Sequence, residues 1–237
     1  MGALEELLVV QAHDTRADQL RHRRSHLPEL SQAASIREAI AVIDAERAVV
    51  GGELGVIRSA EHRLEDEAAT VQAKAADVER RLYDGSVTAH KELEDLQADH
   101  RSLVARQAQL EDEAIELMEQ AEPLQSQLDE LDGRRAVHQG EVDSLQAVID
   151  TTQAELDGLI AVEESARDAA AERVDAAVLR DYDSLRARLG GVGAARLEGS
   201  RCEGCHLEIP PAELDGVRRA PEDATVFCPQ CGRILVR

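Results

Sequence analysis

Apolar residues return every seven positions over most of this chain, and no other feature limits its possible folds so sharply. Ile36, Ile43, Val50, Ile57, Leu64, Val71 and Val78 form one run, with Ile40, Leu54, Ala68, Ala75 and Leu82 four residues after members of it. Leu96, Leu103, Leu110, Leu117, Leu124 and Leu131 form a second, whose register continues through His138, Leu145, Thr152 and Leu159. A seven-residue repeat held this long specifies α-helices wound in a left-handed coiled coil. Helices on a globular core would show a wider apolar face. Composition agrees. Hydrophobic residues make up 43% of the chain, yet its aromatics are only Tyr83, Tyr182 and Phe227. Such a chain reads as long helices in thin layers rather than a thick core.

The two runs are separated by Tyr83-Asp84-Gly85-Ser86-Val87-Thr88. Gly85 suits the left-handed conformation that stops a helix, and Thr88, with Ser86 as its rival, suits the cap of the next. Reversal there makes an antiparallel hairpin in preference to a parallel dimer. A centre between Gly85 and Ser86 would pair residues whose numbers sum to about 171, setting Ala68 against Leu103 and Val50 against Ala121, small against large. An arm of about 80 residues would reach roughly 120 Å. Pro28 and Pro123 are expected inside the helices, bending them locally. Arg47, Glu61, Gln107 and Arg135 fall at seam positions, where polar residues set register. The fold class expected is mainly α, a long antiparallel coiled-coil hairpin followed by a small β module. The domains are residues 1–172 for the hairpin, with its turn near 83–88, then 173–193 for a short helix and glycine-rich connection, then 194–237.

That last module is defined by four cysteines, all of them in the final 36 residues. Cys202 and Cys205 form one Cys-x-x-Cys pair and Cys228 and Cys231 another, with 22 residues between the pairs. Two such knuckles place four thiolates around one tetrahedral metal, which suits zinc in a structural role. Four sulfurs leave no open position for catalysis, and His206, next to Cys205, finds the shell already filled. The start MGALEELLVVQAHD lacks the charged and apolar regions of a secretory signal, and no stretch approaches the roughly 20 apolar residues of a membrane span. A reducing cytoplasm follows, where zinc thiolates persist and disulfides do not. Asp175 is placed to cap a short helix carrying Val178, Leu179, Tyr182, Leu185 and Leu189, ended by Gly190, Gly191 and Gly193. Ala194–Glu198, Ala224–Phe227 and Ile234–Arg237 read as short strands, and Pro210-Pro211 as the start of a helix. Phe227, the ribbon's only aromatic, is either a stacking platform for a base or, the preferred reading, a core residue beside the metal.

At RLYDGSVTAHKELEDLQ (81–97), LRDYDSLRARLGGVGAARLEGSRCEGCHLEIPPAEL and FCPQCGRILVR, the chain resembles a bacterial family that joins an N-terminal coiled-coil hairpin to a C-terminal four-cysteine zinc ribbon. The resemblance spans essentially the whole chain and carries the zinc-ligand role onto Cys202, Cys205, Cys228 and Cys231. The hairpin turn departs from the family's Thr-Asn-Pro-Lys-Glu-Leu, reading Thr88-Ala89-His90-Lys91-Glu92-Leu93, which implies a looser tip. For function the resemblance implies a partner or chaperone of the nitrogen-type sigma factor that also binds a flagellar transcript. The matched residues here are structural, and none is assigned that activity.

The function expected from the residues is a non-enzymatic adaptor with a protein partner, the transcription machinery being one setting. Nucleic-acid binding through the ribbon is the alternative. No phosphate-binding glycine loop, nucleophile motif or paired carboxylates support an enzyme, so no catalytic or cofactor-binding residue is assigned. A net charge of -21 disfavours nucleic acid. From Arg196 onward, six Arg face seven Asp and Glu, leaving 21 basic against 41 acidic residues upstream. Arg218 and Arg219 are the ribbon's candidates for a phosphate backbone. Arg21, Arg23 and Arg24 form the strongest basic run in the helices, either a docking site or a solvated face. Asp84 is either an ordinary turn residue or the acid of a tip that enters RNA polymerase, by analogy with secondary-channel factors.

Overall fold

The computed structural model describes residues 3–221 and 224–237. Helix α1 spans Ala3–Ser25, α2 Pro28–Tyr83 and α3 His90–Ala171. Helix α4, Ala176–Arg188, and strands β1 (Ala194–Glu198) and β2 (Arg201–Cys202) follow. Helix α5 (Pro211–Arg219) and strands β3 (Val226–Phe227) and β4 (Ile234–Val236) complete the chain. The fold is mainly α, a long helical hairpin with a small C-terminal strand region. By contacts it divides into two compact units, Ala33–Ser144 and Met1–Gln32 together with Leu145–Arg237.

Within 33–144 the seven-residue repeat does what a coiled-coil seam requires. Ile43, Val50 and Leu131 are buried together, with Leu124 and Leu128 against them. Nearer the turn Ala68, Val71 and Leu110 are buried with Leu64 and Leu103. Charged residues beside the seam tie the arms. Arg135 Nε donates to Asp44 at 2.8 Å, and Arg47 bridges Asp44 at 3.1 Å and Asp132 at 2.5 Å. Arg47 and Arg135 therefore act on register. Gln107 instead bonds Glu111 on its own helix at 2.7 Å. The cross-arm pairs Glu67–Arg106 and Asp44–Arg135 have numbers summing to 173 and 179 rather than 171. Part of the difference is the turn, whose helix ends at Tyr83 and His90 centre it between 86 and 87.

Three local expectations are corrected. Helix α3 begins at His90, so Ala89 precedes it and neither Thr88 nor Ser86 is its cap. Pro28 is not inside a helix. The first arm breaks at His26 and Leu27, and Pro28 opens α2, where its missing N–H costs nothing. Pro123, by contrast, is carried inside α3. Leu159 is 51% exposed, and Ile160 is buried in its place. A straight α-helix drifts by about 20° per heptad against a strict seven-residue repeat, so the register slides by one residue along a long helix. Val142, Ile149 and Leu156 are buried in the companion heptad column, three residues before Leu145, Thr152 and Leu159, the column that buried Ala114 and Ala121 also occupy.

In the other unit the four strands lie in the order β2-β1-β4-β3. β1 and β4 are parallel, pairing Ala194 with Ile234 and Ala195 with Leu235, and the flanking pairs are antiparallel. Alternation then gives the small sheet two apolar faces. Ala195 and Leu235 face the cysteine side, packed with Cys202, Ile209, Leu214, Val217 and Cys228. Ala194, Ile234 and Val236 face a second core made with Leu4, Leu7 and Val10 of α1, Ala170, Val174, Tyr182 and Leu185. The start of the chain thus packs on the ribbon, a neighbour relation the sequence division did not contain. Gln11 Oε1 accepts the Ala194 N–H at 2.7 Å, and Glu5 lies 3.7 Å from Arg196. Asp175 caps α4 by accepting the N–H groups of Ala177 and Val178. Gly193 has no room for a side chain, because a Cβ would sit 2.8 Å from Tyr182.

Candidate metal centre

Each knuckle is a tight turn closed by one backbone bond. The His206 N–H donates to the Cys202 carbonyl at 2.7 Å, and the Gly232 N–H donates to the Cys228 carbonyl at 2.8 Å. The residue after each second cysteine is left-handed, with φ of 59° at His206 and 73° at Gly232. Gly204 inside the first knuckle is pressed close, since a Cβ there would lie 2.7 Å from Arg233 Cδ and 2.8 Å from Ala195 Cβ.

These turns bring Cys202, Cys205, Cys228 and Cys231 together with all four sulfurs within 4.8 Å of one another. Cys202 Sγ to Cys231 Sγ and Cys205 Sγ to Cys228 Sγ are both 4.0 Å. A disulfide needs about 2.05 Å, whereas tetrahedral zinc with bonds of about 2.3 Å sets its sulfurs about 3.8 Å apart. The donor set fits one structural zinc. Burial pushes the Cys202 thiol up to about 12 and raises that of Cys228. At Cys231 burial is outweighed by hydrogen bonds from the Arg233 backbone and side chain, and the thiol falls to about 7. A buried dication is what lets such thiols ionise together, and binding it releases their protons.

The other candidate residues are scattered over the molecule. His206 points out beside Glu203, at 3.7 Å, and is no ligand. Phe227 is 46% exposed, so it is not the core residue beside the metal that its position suggested. It lies on β3, an edge strand, and its buried neighbours in sequence and sheet are Cys228 and Ile234. Arg218 donates to the Gly199 carbonyl at 3.0 Å, and Arg219 pairs with Asp215 at 3.1 Å. Arg21 pairs with Asp18 at 2.8 Å and with Glu164, and Arg24 with Asp157 at 2.7 Å, all holding α1 or its pairing with α3. Arg23 is exposed. Asp84 accepts the Ser86 N–H at 2.8 Å, and the Ser86 side chain, followed by that backbone bond, lowers its carboxyl below the usual range.

A cluster that sequence reading missed lies between α1, α3 and α4. Buried Tyr182 donates to Asp14 at 2.8 Å, while Arg167 and Arg186 each stand 3.6 Å from the same carboxylate. His13 Nδ1 lies 2.6 Å from Glu163 nearby. No local motif marks it, since Tyr182 and Arg186 lie 168 and 172 residues from Asp14.

A helical hairpin joined to a four-cysteine ribbon defines a zinc-binding coiled-coil protein. The model of the CT398-like coiled-coil hairpin domain matches residues 10–190, and that of the C4-type zinc ribbon domain matches 201–235. The chain belongs to the CT398-like coiled-coil hairpin family. It is 32% identical over 244 residues to the uncharacterized protein Rv2229c of Mycobacterium tuberculosis, covering 98% of this chain and 94% of that one. A structure from Mycobacterium smegmatis matches at a TM-score of 0.69 with 28% identity, covering both chains completely. The structure of CT398 from Chlamydia trachomatis shares the fold at 0.69 and 19% identity, covering 99% of this chain and 97% of that one. No helix among the described residues is long and apolar enough to cross a membrane.

Proposed function

We propose that this protein is a non-enzymatic scaffold in a reducing compartment, whose zinc braces the base of a helical hairpin that presents its surface to a protein partner. The observation that carries this reading is the fate of the ribbon's six arginines. Arg196 pairs with Glu5, Arg201 with Glu203 and Arg219 with Asp215. Arg218 donates to Gly199, Arg233 to Val192 and Leu189, and Arg237 to Val217, Ala220 and Pro221. Each is held within the chain, and Arg196, Arg201 and Arg219 meet carboxylates; with six Arg against seven Asp and Glu the ribbon has no surplus of positive charge for phosphates, and the surrounding charge of -21 repels nucleic acid. The polar cluster around Asp14 likewise closes on itself as ion pairs, which is how a structural clamp is built. The family resemblance makes the transcription machinery the first place to seek the partner.

The test is affinity capture of the tagged protein from the native cell extract, with and without nuclease. A protein partner retained after nuclease supports the scaffold. A pool that vanishes with nuclease, together with salt-dependent RNA binding weakened by Arg218→Glu/Arg219→Glu, overturns it in favour of nucleic acid.

A further inference from the structure

One face of α2 is apolar and exposed. Val42, Val49 and Val56 recur at seven-residue spacing and are 59%, 62% and 71% exposed. They lie off the seam, whose buried members along this stretch of the helix include Ile40, Ile43, Val50 and Leu54. Three residues after each valine comes a small one, Ala45, Gly52 and Ser59. At Gly52 even an added Cβ would meet nothing within 4 Å. A valine and a small residue alternating at intervals of three and four is the pattern of a second coiled-coil seam. The stripe is bounded, because the next heptad places hold Ser35 and Arg63. At 1.5 Å per residue it is about 21 Å long, four turns of helix.

Charge selects the occupant. Glu46 and Glu53 follow Val42 and Val49 by four residues, on the edge of the stripe, and both are exposed. Neither has an ion-pair partner among the described residues, whereas Asp44, turned toward the other arm, is bridged by Arg47 and Arg135. A second copy of this chain would bring another body of charge -21 against the same acids. A cationic helix instead buries its apolar face on the valines and supplies the counter-charges that the fold withholds from Glu46 and Glu53.

We infer that the Val42–Val49–Val56 face of the hairpin docks a basic amphipathic α-helix of a protein partner. The inference rests on the scaffold reading and gives it a surface and a ligand class.

The experiment uses the full, zinc-loaded chain and two synthetic helical peptides of about 20 residues, leucine at the seam positions and either Lys or Glu at the flanks. Binding is read by fluorescence anisotropy. The Lys peptide is expected to bind at least about tenfold tighter than the Glu peptide, and Val49→Ser/Val56→Ser to weaken it by about tenfold. Glu46→Lys/Glu53→Lys should reverse the preference toward the Glu peptide, a result that a purely structural role for these exposed residues does not produce. Undiminished binding of the Lys peptide by both variants, or none by the parent, overturns the inference. So does a parent dimer in sedimentation that Val49→Ser/Val56→Ser dissociates, which gives the face to a second copy. Capture of a protein partner that survives Val49→Ser/Val56→Ser leaves the scaffold standing and removes only this surface.

Discussion

Tyr182 and Asp14, 168 residues apart in the chain, share a hydrogen bond of 2.8 Å that fastens α4 to α1. The Tyr182 ring is fully buried, and burial, followed by the Asp14 carboxylate, raises its hydroxyl well above the usual tyrosine range. The hydroxyl is therefore a permanent donor. Hydrogen bonds to charged groups contribute about 1.5–3 kcal/mol. Since Arg167 and Arg186 also serve Asp14, Tyr182→Phe should cost about 1.5 kcal/mol, the lower end of that range. Denaturant unfolding of the zinc-loaded chain measures it, and an unchanged midpoint would remove the clamp from the account.

Zinc removal should reach farther than the ribbon. The sheet is a shared wall, with the metal-side core on one face and the Leu4–Leu7–Val10 core on the other. Chelation is expected to abolish protection of the β1 and β4 amides and also to speed hydrogen exchange in α1, while residues 33–144 keep theirs. Full protection of α1 after chelation would show that the two cores are independent.

His206 occupies in the first knuckle the left-handed position that Gly232 holds in the second. For a residue with a Cβ this conformation costs about 1–2 kcal/mol, against about 0.4–1 kcal/mol of extra unfolded-state freedom for glycine. His206→Gly should therefore stabilise the zinc-loaded protein by about 0.5–1 kcal/mol, seen as a higher unfolding midpoint. A fall would mean that the exposed ring makes a contact worth more than the strain.

Gly204→Ala should act in the opposite direction. Arg233 can swing away from the new methyl, but Ala195 is in the core and cannot, so overpacking of about 1–3 kcal/mol is expected. Competition with a chromophoric chelator should show weaker zinc retention than in the parent.

Asp44 provides a pH test of the hairpin seam. Its hydrogen bond from Arg135, then that from Arg47, holds its carboxyl below the ordinary value. A depressed folded pKa gives stability that is present above the unfolded value near 4 and lost as pH falls through the folded one. Asp44→Asn should lower the melting midpoint of the chain at neutral pH, and the gap should close on acidification below about 4. A constant gap across that range would assign the loss to packing.

Much of this protein is legible one stretch at a time, because a coiled coil and a zinc knuckle are written in local spacing. Seven-residue recurrence between Ile36 and Leu131 needs no distant partner to be read, and two Cys-x-x-Cys pairs name their own ligands. The Asp175 cap, the Ala194–Glu198 strand and the Pro211 helix start are legible for the same reason. Tertiary structure alone decided which surfaces those elements cover. It set Leu4, Leu7 and Val10 on the ribbon, turned Phe227 outward, moved burial from Leu159 to Ile160, and engaged every ribbon arginine within the chain. Those outcomes depend on residues brought together from opposite ends of the chain and on the slow drift of a 3.6-residue helix against a seven-residue repeat. Local periodicity carries neither.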